Sequence, residues 1–513
     1  MSATGEGSTV SRTTDTDRLH ELGYAQELLR QMGGFSNFAV SFTIISILSG
    51  CLTLYAFGMN TGGPVVMTIG WPLVGIMVTF VGLSMAEVCS SYPTAGGLYY
   101  WSAKLARNNG PAWSWFTGWF NLMGQVAVTA GIDFGLAFFL TAFLNLLFGY
   151  PASPGWVILI YAIVLFVHGL LNTFGVRLVA LLNDVSVWWH IIGVLFIVGV
   201  LWIVPDHHQS LSFVFTKFVN HTGWNSKIYV FLIGLLLAQY TFTGYDASAH
   251  MTEETRDAAV TGPWGIVMSI VVSLIAGWIL LIGVTWAIQN YATELASSTG
   301  VPPAQIFIDA AGRHLGEFLL FIVVVAQFYC GMSSVTANSR MIYAFSRDGA
   351  LPGSAFFHRI NKRTRTPTNS IWLATVGAFI LGVPYLWSPV AYFAVTSIAV
   401  IGLYIAYAIP ILLRLINDEN FVAGPWNLGR WSKPIGWIAV IWVVFISILF
   451  VLPQVSPVTV STFNYASIAT GAVLLGSGGW WLVSAHKWFK GPKVQGSAEE
   501  LAAIERELEG VSV

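Results

Sequence analysis

The stretch Gln239-Tyr240-Thr241-Phe242-Thr243-Gly244-Tyr245-Asp246-Ala247 decides the fold. The residues ahead of it, 234–238, are apolar enough to lie in lipid. The segment then runs into hydroxyls, a glycine and a carboxylate, where a membrane-crossing helix should remain apolar. An interrupted helix at bilayer depth leaves backbone N–H and C=O groups unpaired, which is tolerable only where they face a cavity or a ligand. The pattern predicts a transport site rather than a passive anchor.

The flanking composition sets that break in a membrane. The 513 residues are 55% hydrophobic and only 9% charged, against about 25% charged in an ordinary soluble protein. Stretches long enough for the ~20 residues of a helical crossing recur from Phe35 to Ser484. Hydropathy predicts about twelve spans, near 35–58, 65–88, 113–147, 155–173, 178–204, 228–251, 264–289, 313–344, 369–387, 390–416, 435–452 and 463–485. The third is long enough to require tilt. The expected class is an all-α polytopic membrane protein, bounded by a tail at 1–34 and a tail at 486–513. Residues 1–17 read as disordered, 18–32 as an interfacial helix, and 497–509 as a solvated helix. No signal-peptide pattern precedes span 1, so span 1 is expected to do the targeting.

Lysine and arginine cluster after spans 2, 4, 8, 10 and 12, and are missing from the alternate loops near 59–64, 148–154, 384–389 and 453–462. By the positive-inside bias both termini are expected in the cytoplasm. The net charge of −1 and the lack of a basic tract give no nucleic-acid signal. Cys51, Cys89 and Cys330 fall in separate apolar segments, with neither metal spacing nor a disulfide framework. No phosphate-cradling glycine loop and no nucleophile–base set appears, which speaks against a primary pump and against an enzyme. A channel or a membrane sensor stays open as another class. The sequence does not set the oligomeric state.

Three motifs carry a resemblance. They run from Leu83 through Glu87 and Gly96-Gly97 to Trp101, from Thr243 to Thr255, and from Asn338 to Pro352. Together they resemble the amino acid–polyamine–organocation superfamily, in its amino acid/choline branch of GABA permeases and bidirectional amino acid transporters. The likeness covers about residues 19–470. It implies two inverted five-helix repeats, with a transport core at 35–416, accessory helices at 435–485, and discontinuous spans 1 and 6. It implies a secondary transporter of amino acids or GABA-like zwitterions in the plasma membrane, working by alternating access, without a cofactor.

Within that frame span 1 is expected to break around residues 46–52, about 22 Å along a helix from Phe35. A second half starting near Cys51 would offer free N–H groups to a substrate carboxylate. Ser49 and Gly50 serve equally well as small residues for close packing. Only Gly50 stands where the family usually shows several glycines. Carbonyls near Thr241, Phe242 and Thr243 suit an ammonium group, and Phe242 or Tyr245 suits a gate or plain aromatic packing.

Ionisable groups at membrane depth are functional candidates. His190 lies about 20 Å beyond Arg177, where proton-coupled relatives carry a lysine near the span 1 break. Its coupling role is set against that of a neutral, hydrogen-bonded histidine. Asp246 is expected either to bond unwound backbone or to face a protonatable partner; Asp133, Gln125 and His168 are expected to seal interhelical hydrogen bonds. Glu87, Glu253 and Glu254 are expected to pair with Arg340, Arg347 or loop bases as an inner gate, or to be solvated. Ser333, Ser334 and Thr336 keep sodium open as the alternative ion; choline or polyamines, moved with sodium or by exchange or uniport on the same fold, are the alternative cargo.

Overall fold

Span boundaries follow local chemistry. Pro111 and Pro154 sit in the first turns of spans 3 and 4, where a missing N–H costs nothing. Ser153 and Ser226 cap spans 4 and 6 with their hydroxyls. Gly149, with φ of 73°, closes span 3 in the left-handed region. The computed structural model describes residues 14–388 and 390–509.

Among the described residues, 11 helices are long and apolar enough to cross a membrane. They are Gly34–Thr53, Val66–Ser91, Gly110–Phe148, Pro154–Phe174, Arg177–Ile203, Ala258–Trp286, Arg313–Arg347, Thr368–Leu386, Ala391–Ile416, Gly429–Leu449 and Ala466–Trp488. The shorter apolar helix Lys227–Thr241 takes the sixth place, so the order matches the twelve spans expected. At 39 residues, span 3 would extend about 58 Å, well beyond a ~30 Å hydrocarbon core, so it must tilt or project. Span 2 packs on span 7, span 3 on span 8, and span 4 on span 9. A two-fold axis relating spans 1–5 to spans 6–10 would bring together those same pairs. Spans 1 and 6 meet at their interruptions.

The two ends of the chain differ from expectation. Helix Asp15–Glu21, with its Thr14 capping box, stops well before Met32. Gly23 has φ of 100°, and the chain beyond it runs as an extended strap. Side chains satisfy the strap: the Arg365 guanidinium donates to the Glu27 carbonyl at 2.7 Å, and the Ala25 N–H donates to Gln495. Met32 pairs with Thr255 in a parallel bridge. The helix Ala498–Glu509 is docked rather than free: Glu505 lies 2.8 Å from His20 and accepts the Gln26 N–H. Strap and tail therefore share one face, the basic face. Residues 1–13, expected to be disordered, lie outside the described residues.

Candidate functional site

Span 1 breaks at a single residue. Ser46 adopts φ 33° and ψ 85°, ending the helix Gly34–Ile45 and opening the helix Ile47–Thr53. The second half therefore begins at Ile47 and not near Cys51. The cause is the Ser46 hydroxyl, which accepts the Ser49 N–H at 3.2 Å and caps the new helix from within the break. Ser49, Gly50 and Cys51 then belong to its helical turns and are buried. A Cβ on Gly50 would lie 2.6 Å from Thr241 Oγ1, so Gly50 lets the two broken spans touch. The Ile47 and Leu48 amides make no backbone hydrogen bond.

Span 6 breaks over a longer stretch. Its first half ends at Thr241, Gly244 takes φ of 87°, and helix resumes over Ala247–His250. A Cβ on Gly244 would lie 2.2 Å from Ile44, so both conformation and space require glycine. Three exposed carbonyls find donors. Thr243 Oγ1 donates to Tyr240 O at 2.6 Å, Ser41 Oγ donates to Tyr245 O at 2.9 Å, and Tyr404 OH donates to Phe242 O. The amides of Thr243, Gly244 and Tyr245 make no backbone hydrogen bond. Phe242 packs on Trp71 with ring centroids 4.4 Å apart, and Tyr245 on Tyr407 at 5.0 Å. Around the breaks, Gln239 Nε2, Tyr240 OH, Tyr245 OH and Gln327 Oε1 are buried without partners. Unpaired buried groups of this kind are costly, and a polar ligand would satisfy them.

His190 reaches the first break. Its Nε2 lies 2.7 Å from Ser46 Oγ, and its Nδ1 lies 2.8 Å from the Ser186 carbonyl. A carbonyl only accepts, so Nδ1 carries a hydrogen. Nε2 is then an acceptor from Ser46 when the ring is neutral, and a donor to it when the ring is charged.

Asp246 does not bond the unwound backbone through its side chain. It accepts from Gln125 Nε2 at 2.7 Å and Tyr407 OH at 2.7 Å, and faces His250 Nε2 at 3.3 Å. Sequence reading missed His250; its i,i+4 spacing from Asp246 was the available signal. Asp133 and His168 join spans 3 and 4 at 3.1 Å. The hydroxyls of span 8 diverge: Ser333 bonds Asn183, Ser334 lies 2.8 Å from Thr129, and Thr336 bonds Asn172 at 2.6 Å.

Toward the basic face, Arg347 holds Glu253 through two nitrogens at 3.1 and 3.2 Å, and Arg340 holds Glu254 at 2.8 Å. Glu87 stands apart from both arginines. It accepts from the Leu428 N–H at 3.1 Å and from Ser432, with Arg414 at 3.9 Å.

Two cavities approach the centre from opposite sides. One of about 570 Å³ on the basic face is lined by Val40, Arg177, Asn183, Met251 and Arg340. One of about 290 Å³ on the other face is lined by Thr53, Phe138, Val301 and Tyr392. The break residues between them are buried, from Ser46 to Asp246.

A polytopic helical bundle with two interrupted spans meeting at a closed centre, and a vestibule on either side, is built as a membrane carrier. Comparison with known proteins agrees. The amino acid permease family profile matches residues 32–474. The amino-acid permease BAT1 of Arabidopsis thaliana is 47% identical, over 93% of this chain and 95% of its own. Its homolog in Oryza sativa subsp. japonica is 46% identical with the same coverage. The GABA-specific permease of Saccharomyces cerevisiae is 32% identical, over 93% of this chain and 86% of its own. The chain belongs to the amino acid permease family; it is a multi-pass secondary transporter and not an enzyme.

Proposed function

We propose that this permease moves a small zwitterionic amino acid or GABA-like amino acid across the plasma membrane, driven by protons and by alternating access, with both termini cytoplasmic. The observation that carries the reading is His190 on Ser46, a titratable ring at the interruption of span 1. Spans 1–10 form the transport core and spans 11–12 its accessory pair. The lysine and arginine bias of the loops supports the orientation.

The substrate carboxylate meets the Ile47 and Leu48 amides at the start of the second half of span 1. The ammonium meets carbonyls at the end of the first half of span 6, around Thr241 and Thr243. A proton on His190 turns Nε2 into a donor toward Ser46 Oγ. The Ser46 hydrogen is then free to rotate toward the carboxylate, so proton and zwitterion favour each other's binding. Glu253–Arg347 and Glu254–Arg340 close the inner side and separate when it opens. Sodium is the weaker reading, because the span 8 hydroxyls turn to three different neighbours rather than to one point.

The test is uptake of a labelled amino acid panel, GABA, choline and a polyamine into proteoliposomes, with proton and sodium gradients imposed separately. Accumulation of a zwitterion under the proton gradient alone is expected. Accumulation only under sodium, or of choline or the polyamine only, would overturn the reading.

A further inference from the structure

We infer that residues 493–507 form an autoinhibitory latch, which holds the strap at 23–32 across the inner gate and must let go before that side opens. The inference rests on the carrier reading above, in which Glu253–Arg347 and Glu254–Arg340 separate on opening, but not on the coupling ion.

The strap is bonded to both halves of the gate. On the span 6 side, Gln26 Nε2 donates to the Glu253 carbonyl at 2.8 Å. Arg30 donates to the Thr252 carbonyl at 2.9 Å and to that of Thr255. The Met32 N–H donates to the Glu254 carbonyl, and the Met32 carbonyl accepts the Arg256 N–H, both at 2.9 Å. On the span 8 side, the Arg347 guanidinium lies 3.8 Å from the centre of the Tyr24 ring. The Tyr24 hydroxyl donates to Asp348 at 3.1 Å, and both residues are buried. Arg365, in the loop after span 8, donates to the Glu27 carbonyl at 2.7 Å. Parting the end of span 6 from the end of span 8 must therefore pull the strap off one of them. The backbone pairing at Met32 keeps the strap with span 6, so the contacts at Tyr24 and Glu27 are the ones that part.

The C-terminal segment fastens that same end of the strap. The Gln495 N–H donates to the Gly23 carbonyl at 2.9 Å, and its side chain accepts the Ala25 N–H at 2.7 Å and donates to Glu27 at 2.5 Å. Glu505 accepts the Gln26 N–H at 2.7 Å and lies 2.8 Å from His20. The segment is itself anchored on the span 8 side. The Lys493 N–H donates to Asp348 at 3.0 Å, and Lys362, in the loop after span 8, holds Glu507 at 2.5 Å. Leu501 seats the helix Ala498–Glu509 with only 2% exposure. Residues 23–27 are thus tied to the side from which they must part. Among the described residues, none of this segment lines either cavity, so its grip opposes opening without touching the transport path.

The test reads exposure of the inner cavity in the purified full-length protein. Val40 is buried and lines the cavity of about 570 Å³ together with Leu29 and Met32 of the strap. A Val40→Cys reporter, in a background with Cys51, Cys89 and Cys330 replaced by serine, is treated with a charged maleimide. Modification at residue 40 is read by peptide mass spectrometry. Gln495→Ala and Glu505→Ala each remove side-chain contacts to residues 20–27 and are expected to raise the labelling rate about fivefold. A tether acts in the opposite direction. A Cβ on Gly23 would lie 3.5 Å from the Val494 Cβ, within the spacing of a disulfide. Gly23→Cys with Val494→Cys is expected to slow labelling about tenfold when oxidised and to recover on reduction. Both redox forms carry the same strain at residue 23, so their comparison keeps the test decisive if a release variant does not fold. Unchanged labelling in folded Gln495→Ala and Glu505→Ala, or equal labelling of the oxidised and reduced tether, would overturn the inference. The readout needs no substrate, so failure of the transport reading in proteoliposomes is distinguishable from failure of the latch.

Discussion

The two interruptions are built differently. Span 1 turns on one left-handed serine, carries no charge of its own, and is held by a histidine from span 5. Span 6 opens over 242–246, carries the carboxylate of Asp246, and is held by tyrosine hydroxyls from span 10. A one-residue hinge tied to a titratable ring is suited to sensing a proton. A longer opening, with amides that make no backbone hydrogen bond and donors pinning its carbonyls, is suited to shaping a pocket. Under the proposed function, coupling falls mainly to the first break and recognition mainly to the second.

The strongest way to break this division is at Gly244. A side chain there meets both a left-handed backbone and Ile44 at 2.2 Å. Gly244→Ala should cost about 1–3 kcal/mol and lower counterflow at least tenfold. Full counterflow would show that the span 6 opening does not shape the pocket.

Ser46 sharpens the other half. Ser46→Gly keeps the left-handed turn and removes the hydroxyl, whereas Ser46→Ala loses both. Proton-driven accumulation should fall roughly tenfold in both, and counterflow should fall only in Ser46→Ala. Equal loss of counterflow in the two would mean that the hydroxyl serves the pocket rather than the proton.

Tyr404→Phe removes the donor on the Phe242 carbonyl. A loss of about 1–2 kcal/mol corresponds to a roughly five- to thirtyfold higher KM. The pH dependence of uptake should stay as in the wild type.

The smallest effect belongs to Glu294, outside the spans in the helix Tyr291–Leu295. Burial pushes its carboxyl from 4.5 up to about 7. The folded protein therefore binds this proton more tightly than the unfolded chain. Its stabilisation is complete below pH 4.5 and is lost as pH rises through about 7. Across that window wild-type Tm should fall by ~1–3 °C relative to Glu294→Gln, leaving the contrast between the two breaks untouched.

Much of this was legible in the residues. The run from Thr241 to Asp246 announced its own break, because hydroxyls, glycine and carboxylate cannot continue an apolar helix in lipid. The acidic and basic residues at the basic-face ends of spans 6 and 8 allowed ion pairs or solvation, and Glu253 and Glu254 are paired. The first break was harder to place. Ser46 lies in an ordinary apolar run, and its left-handed turn is stabilised by a residue 144 positions away. Gly50 looked like the weak point and is instead the closest approach to Thr241. Residues 18–32 read as an interfacial helix by their leucines, but beyond Glu21 the backbone finds its partners in distant side chains that no local pattern reveals. His250 stands four residues after Asp246, a spacing the sequence does show, whereas its bond to the Ala95 carbonyl leaves no mark there.

Proton coupling at the first break is tested most directly by accumulation and counterflow of a zwitterionic substrate by His190→Ala in proteoliposomes under an imposed proton gradient. Loss of accumulation with counterflow retained is the predicted result. Undiminished accumulation would contradict the assignment of proton coupling to the first break.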